Sequence, residues 1–184
     1  MTILNEKLEI LNHQKNFINF VESLQYLDEY VLRQPISEGK WSIIEIIGHF
    51  YFWDEFVLQK RLPFVLTGNP LPPSPNAKVL NKHSSLLARH ENVHRTIEKC
   101  IRIRTTLMEA LNAIPDENWL VEFIMNQTRI TLYEYLKGLM EHDIHHINQI
   151  KKCALMLGLS VALSAGTLAA QEGNEVLGVG SVGE

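Results

Sequence analysis

The stretch EHDIHHINQI, from Glu141 to Ile150, lies in the last predicted helix and carries two histidines four residues apart. Residues four apart leave the same face of a helix one turn from each other, so the imidazoles of His142 and His146 are placed to share a metal ion. His49, far away in the sequence, offers a third imidazole from another helix. Three histidine ligands with an open position are typical of a catalytic metal site. The alternative is that these histidines are core residues satisfied by hydrogen bonds.

Apolar residues recur at helical spacing in four long segments, which predicts an all-α four-helix bundle. The predicted helices run from about Leu4 to Arg33, from Ser42 through Trp53, from about Asn81 to Ala113, and from Thr131 to about Leu157. Between the second and the third helix, residues 69–75 hold four of the seven prolines, which predicts a long crossover connection. Residues 121–131 are predicted to be short, irregular and partly extended.

Two of these helices begin with a capping box. Ser42 is followed three residues later by Glu45, and Thr131 is followed by Glu134 in the same way. The run after Ser42 is almost entirely apolar, which predicts a buried helix with the His49 side chain inside the protein. The predicted inward stripe of the fourth helix comprises Leu132, Tyr135, Leu139, His142, His146, Gln149, Cys153 and Met156. An unpaired imidazole on such a face would cost free energy, and a metal ion would satisfy both.

Composition excludes several classes of protein. The net charge is −4 and the pI is near 6.1, with no basic tract, so we expect no nucleic-acid partner. No apolar run is long enough to span a bilayer, and the N-terminus lacks the layout of a secretory signal, so we expect no membrane association. Cys100 and Cys153 make no disulfide framework, which favours a cytoplasmic protein in which both are packed core residues.

A competing pattern lies on the third predicted helix. Residues His90 to His94 read H-E-x-x-H, the zinc-peptidase pattern, but flanking polar residues and the lack of a downstream third ligand weaken this interpretation. In an up-and-down bundle, His90 would also lie roughly 15 Å along the axis from the level of His49. The two histidine pairs therefore cannot form one site. A separate cluster of His13, His90 and His94 is a second, weaker alternative.

Two segments resemble the DinB/YfiT-like superfamily of metalloenzymes: WSIIEIIGH at residues 41–49, and TLYE at residues 131–134 with HDIHHINQI at residues 142–150. The resemblance covers residues 1–158, which we expect to form one domain, and residues 159–184 form a C-terminal tail without an assigned role. It implies a four-helix bundle with a long crossover between helices 2 and 3. It also implies a homodimer and a divalent metal, usually zinc or nickel, held by His49, His142 and His146. Some members resemble transferases that attach a low-molecular-weight thiol to a small electrophile.

Residues near the histidines have more open roles. His145 is turned about 100° from His146 and is predicted to form a pocket wall rather than to bind the same ion. Asp143 and Gln149 could orient ligand imidazoles or could face water. Asp54 is rotated away from the histidine side of its helix and is a doubtful fourth ligand.

Three hypotheses for the function follow. The first is an enzyme whose metal ion readies water or a thiol to attack a small-molecule electrophile, as a hydrolase or a thiol-dependent S-transferase. The second is a metal-sensing bundle without catalysis, which predicts a site closed by a fourth protein ligand. The third is a scaffold without metal.

Overall fold

The computed structural model describes residues 3–125 and 127–157, and the predicted tail lies outside this range. Its elements are α1 (Ile3–Ser23), α2 (Glu29–Leu32), α3 (Ile43–Lys60), α4 (Leu62–Thr67), α5 (Ala77–His90), α6 (Val93–Ala113), β1 (Glu122–Met125), β2 (Thr128–Thr131) and α7 (Leu132–Met156). The long helices α1, α3, α6 and α7 form the bundle: α6 packs against α1 and α3, and α7 contacts the same two helices. The predicted all-α four-helix bundle is confirmed. Within the described residues no helix has both the length and the apolar character that a membrane crossing requires.

The first predicted helix is too long. The helix α1 ends at Ser23, a 3-10 turn follows at Leu24–Tyr26, and Leu27 is extended. A new short helix, α2, then begins because the Asp28 side chain accepts a hydrogen bond from the backbone of Tyr30. The cap at Asp28 provides a local alternative to continuing α1, and the chain turns there toward α3.

The third predicted helix consists of two helices. The helix α5 begins four residues earlier than predicted, because Asn76 caps it by accepting from the backbone of Val79. It ends at His90, and α6 begins after Asn92, whose side chain accepts from the backbone of Arg95. An asparagine cap satisfies an N–H group that a helix start leaves without a partner, so Asn92 stabilises the break.

The predicted crossover between α3 and α5 is confirmed and is tied to the bundle by one arginine. The short helix α4 ends at Gly68, which has a left-handed φ of 70°, and residues 69–76 then run without helix or strand. The buried guanidinium of Arg61 donates to the backbone oxygen of Pro72 at 2.6 Å and to Ser74 Oγ at 2.7 Å. These bonds hold the proline-rich segment against the end of α3.

Both capping boxes form as predicted, at Ser42 with Glu45 and at Thr131 with Glu134. The segment before α7, predicted to be partly extended, is an antiparallel hairpin of β1 and β2 that pairs Glu122 with Thr131 at its base. This register ends the hairpin at the cap residue of α7.

A buried polar layer crosses the bundle and separates the apolar core into two clusters. Each long helix contributes one residue: Gln14 from α1, Asp54 from α3, Arg104 from α6 and Asp143 from α7. The Arg104 guanidinium donates from Nε to Asp54 at 2.7 Å and from Nη1 to Asp143 at 2.7 Å and to Gln14 at 2.9 Å. The buried charges of the layer are paired and hydrogen-bonded with one another, which offsets part of the free-energy cost of burying them.

The predicted inward stripe of α7 is wrong by about one residue. Leu132 and Cys153 of the predicted stripe are buried, whereas Met156 is 71% exposed. The buried face comprises Leu132, Tyr133, Leu136, Met140, Asp143, Ile147, Ile150, Cys153 and Ala154. The hydrogen bonds of Asp143 to Arg104 hold this rotation of the helix. As a result His142 and His146 lie at the edge of the core rather than within it.

Candidate metal centre

Three imidazoles converge between α3 and α7. One ligand nitrogen each from His49, His142 and His146 can be chosen so that all three lie within 4.8 Å of one another. The ring centroids are 5.2 Å apart for His49 and His142, 5.3 Å for His49 and His146, and 4.6 Å for His142 and His146. This is the group that the sequence predicted from the spacing on α7 and from His49.

The spacing of the nitrogens suits ligands of one metal ion. Nε2 of His49 lies 3.3 Å from Nε2 of His142. Two nitrogens that each bind one zinc-like ion at about 2.0–2.1 Å with a tetrahedral angle lie roughly 3.3–3.4 Å apart. The donor set therefore fits a divalent ion without rearrangement of this pair.

The hydrogen bonds of the other ring nitrogens indicate which nitrogen of each histidine could bind a metal ion. The Nδ1 of His146 donates to Gln149 Oε1 at 2.8 Å, because an amide oxygen can only accept, and this leaves Nε2 free of a proton. By contrast, Nδ1 of the buried His49 has no hydrogen-bond partner among the described residues. With His49 Nε2 directed at His142, its proton belongs on Nδ1 when the ring binds a metal.

The environment keeps the imidazoles neutral. Burial, followed by the influence of the neighbouring His142 and His146, lowers the pKa of His49 to about 3. Burial followed by the influence of His142 lowers the pKa of His146 to about 4. Burial also lowers the pKa of His142, although the surface of this ring opens to a cavity. Neutral rings are the form in which histidine binds a metal.

The three histidines line one side of a cavity of about 940 Å³. Its walls are formed by α3, α5 and α7 and by the loop before α3, and the polar layer forms part of its lining. Aromatic rings lie close to the histidines, with the ring centroids of Trp41 and Trp53 5.1 and 6.2 Å from that of His49. Openness on one side and apolar walls are the usual features of a small-molecule site.

The residues whose roles the sequence left open have different surroundings in the structure. His145 lines the cavity and accepts from Gln149 Nε2 at 3.0 Å, as expected of a wall residue. Gln149 contacts the His146 ring at the nitrogen that is not the proposed ligand. Asp143, by contrast, neither orients a histidine of the triad nor faces water. Asp143 binds Arg104, and its Oδ2 lies 2.9 Å from Nε2 of His13.

The carboxylates of the polar layer have opposite pKa shifts. Burial raises the pKa of Asp54 to about 7, only partly offset by Arg104. Burial acts in the same direction on Asp143, but the charge of Arg104 and the hydrogen bonds from His13 and Arg104 outweigh it and lower the pKa to about 2. Asp54 is bonded to Arg104 and does not belong to the histidine group, in line with its doubtful role as a ligand. Cys100 and Cys153 are free and buried, as predicted.

The H-E-x-x-H pattern does not form a zinc site. His90 ends α5 and His94 lies in α6, so the two are not one turn apart on a single helix. Glu91 instead accepts from Thr96 at 3.0 Å and from Lys99 at 2.6 Å. The alternative cluster with His13 is also wrong, because within residues 3–125 and 127–157 the triad of His49, His142 and His146 is the one group of side chains close enough to share a metal ion.

Sequence reasoning missed Arg104 as a central residue of the cavity lining. A signal was present, because the buried residues of α6 recur at positions 93, 96, 97, 100, 104, 107 and 111, and arginine occupies a core position in that pattern. Gln14, Asp54 and Asp143 interrupt the core faces of their helices in the same way. Four polar residues at core positions of four helices predict a buried layer, because each needs partners there.

Comparison with known proteins agrees with this architecture. The fold is similar to that of YfiT from Bacillus subtilis, a protein described as a probable metal-dependent hydrolase with an unusual four-helix bundle topology. The TM-score is 0.68 at 16% sequence identity, with 84% of this chain and 89% of that chain covered. No curated protein sequence matches this chain. The sequence model of the DinB superfamily matches residues 10–150, and the chain therefore belongs to the DinB superfamily.

Proposed function

We propose that this protein is a metal-dependent enzyme that acts on a small electrophilic molecule, with hydrolysis as its first candidate reaction. His49, His142 and His146 would hold the divalent ion, for which zinc and nickel are the first candidates. The observation that carries the proposal is the convergence of three neutral imidazoles on the wall of a cavity of about 940 Å³. The similarity in fold to YfiT, described as a probable metal-dependent hydrolase, supports hydrolysis.

The chain supports this chemistry through its hydrogen bonds and its charges. Gln149 holds the His146 ring with its Nδ1 protonated, so that Nε2 points to the site. When bound, a divalent ion held by neutral ligands supplies Lewis-acid chemistry, which favours the deprotonated form of a water or thiol nucleophile. The apolar rings of Trp41 and Trp53 restrict water at the same wall and strengthen electrostatic interactions there.

The geometry favours an enzyme over a metal sensor. A sensing site is expected to be closed by a fourth protein ligand, but the group found in the described part of the chain has three members. His142 is exposed to the cavity, so a bound ion would be reachable by a small molecule. An open position beside a cavity of this size is the arrangement that catalysis needs.

Thiol transfer is the second candidate reaction. The cavity volume lies near the upper end of the range of about 300–1,000 Å³ for small-molecule sites, so it has room for an electrophile and a small thiol together. The family resemblance supports the same reaction class. A homodimer stays a prediction from that resemblance.

A metal-reconstitution assay tests the proposal. Full-length protein without a metal-affinity tag would be stripped with a chelator, reloaded with zinc or nickel, and assayed against activated esters, epoxides and alkyl halides with and without low-molecular-weight thiols. Turnover is expected only after reloading and not in His49→Ala. Turnover without thiol identifies a hydrolase, and turnover that requires thiol identifies a transferase. A metal-loaded protein without turnover in every combination would contradict an enzyme and favour the sensing bundle.

A further inference from the structure

Two lysines on α5 line the cavity that holds the histidines. Lys78 and Lys82 are one helical turn apart and exposed, and neither forms an ion pair with a described residue. Lys78 lies in the first turn of α5, where the helix dipole disfavours a cation. Like charges four residues apart also repel each other. Neither lysine charge is therefore offset by a carboxylate among the described residues.

The lysine pair is linked to the metal centre through α3. Asn81 lies between the two lysines on α5, and its Oδ1 accepts from Trp53 Nε1 at 3.0 Å. The Trp53 ring is in turn 6.2 Å from the His49 ring, centroid to centroid. This chain of contacts holds the lysine-bearing turn of α5 on the same cavity as the histidines.

The charge of the cavity lining differs from that of the whole chain. The chain has a net charge of −4, but Lys78 and Lys82 have no carboxylate among the described lining residues to match them. The two carboxylates present, Asp54 and Asp143, are both bound to Arg104. An anion entering the cavity therefore meets uncompensated positive charge first.

Much of the remaining lining is apolar. The side chains that offer such surface include Ile36, Trp41, Ile46, Phe50, Trp53 and Leu139. Burial of apolar ligand surface against them contributes roughly 25 cal/mol per Å². The cavity thus combines an apolar wall with a cationic edge, which is a suitable environment for a molecule that has both characters.

We propose that the cavity selects an organic anion, with its apolar body against the tryptophan wall and its anionic group at Lys78 and Lys82. The claim that this anion is the substrate rests on the proposed function, because it concerns the same cavity. The claim that the anion binds does not depend on the metal centre, since neither lysine belongs to the histidine group. The chemical class is a carboxylate, sulfonate or phosphate joined to a small apolar or aromatic body.

A pair of uncharged and charged probes tests this selection. Metal-free, full-length protein would be titrated calorimetrically at low ionic strength with 4-phenylbutyrate and with its neutral amide, 4-phenylbutyramide. The two probes have nearly the same size and differ in one charge. The variant is Lys78→Gln with Lys82→Gln, and the matched control is Lys60→Gln with Lys152→Gln, which removes two exposed lysines outside the cavity lining.

We expect the carboxylate to bind about five-fold to ten-fold tighter than the amide to the native chain and to the control. The preference should fall to near unity in the variant and at high salt. Equal binding of both probes to the native chain, a preference retained in the variant, or no binding of either probe would overturn the proposal. A separate zinc titration of the same samples reports on the metal centre. Absence of zinc binding, with the carboxylate preference intact, would contradict the proposed function but not the selection of an anion.

Discussion

Gln149 Oε1 accepts a 2.8 Å hydrogen bond from Nδ1 of His146, and this bond determines which nitrogen of the ring can bind a metal. The same amide donates from Nε2 to His145, so its orientation is fixed at both ends. One side chain outside the triad thus sets the tautomer of one proposed ligand. Such partners are a general feature of metal-binding histidines.

Gln149→Ala is expected to weaken zinc binding by about 10–100-fold, because the His146 ring loses the acceptor that holds its orientation. Competition with a chromophoric chelator measures the change. Asn148→Ala, at the exposed neighbouring position on α7, is the control and should bind zinc as the native chain does. Equal affinity of both variants would contradict a supporting role for Gln149.

Arg104→Met is expected to destabilise the metal-free protein by about 3–5 kcal/mol, because it leaves the buried carboxylates of Asp54 and Asp143 without their cation. Urea unfolding measures the change in the free energy of unfolding. Arg102→Met replaces an exposed arginine on the same helix and should stay within about 0.5 kcal/mol of the native value. A loss of about 0.5 kcal/mol or less in Arg104→Met would mean that the polar layer contributes little to the free energy of unfolding.

The raised pKa of Asp54, about 7 against an ordinary value of 3.8, gives a pH dependence of known sign. Between these values the folded protein keeps a proton that the unfolded chain releases, so this contribution to stability is present at low pH and is lost as the pH rises toward 7. Groups that face Asp54 and share this environment are Arg104, Asp143 and Cys100.

Asp54→Asn removes that titration. The free energy of unfolding of the native chain minus that of the variant should fall as the pH rises from about 4 to 7 and should be flat above it. Urea unfolding across this pH range supplies both curves. A difference that rises with pH would mean that the pKa of Asp54 is lowered instead.

Gly48→Ala tests the close packing of α3 against α5. A Cβ at position 48 would lie 2.6 Å from Cβ of Ala88 and 3.3 Å from the backbone oxygen of Ser84. We expect a loss of about 1–3 kcal/mol in the free energy of unfolding, because two helix backbones must separate. Gly138→Ala, where nothing lies within 4 Å, should be neutral or stabilising by up to about 1 kcal/mol. The reverse order of the two effects would contradict the packing described for α3 and α5.

Local sequence signals were sufficient for several features. The capping boxes at Ser42 and Thr131 could be predicted because such a box depends on a partner side chain just three residues away in the sequence. The histidine triad could be predicted because four-residue spacing on α7 determines which rings share a face. The interruption at Asn92 was missed, since an asparagine inside a periodic apolar pattern reads equally well as an exposed helix residue.

Tertiary pairing determined what the sequence pattern could not. The rotation of α7 follows from Asp143, which is bound by Arg104 from a helix about 40 residues earlier, and no local pattern on α7 indicates this partner. The cavity and its lysines depend on how α5 packs against α3 through Gly48 and Ala88. These features combine residues from several helices, and helical periodicity describes one helix at a time.

Metal content of the purified chain tests the central claim most directly. Full-length protein made without a metal-affinity tag, together with His49→Ala, His146→Ala and the wall variant His145→Ala, would be measured by elemental analysis after gel filtration. The account predicts one divalent ion per chain in the native protein and in His145→Ala, and loss of that ion in the other two. Equal and negligible metal in all four samples, or full metal content in His49→Ala, would contradict it.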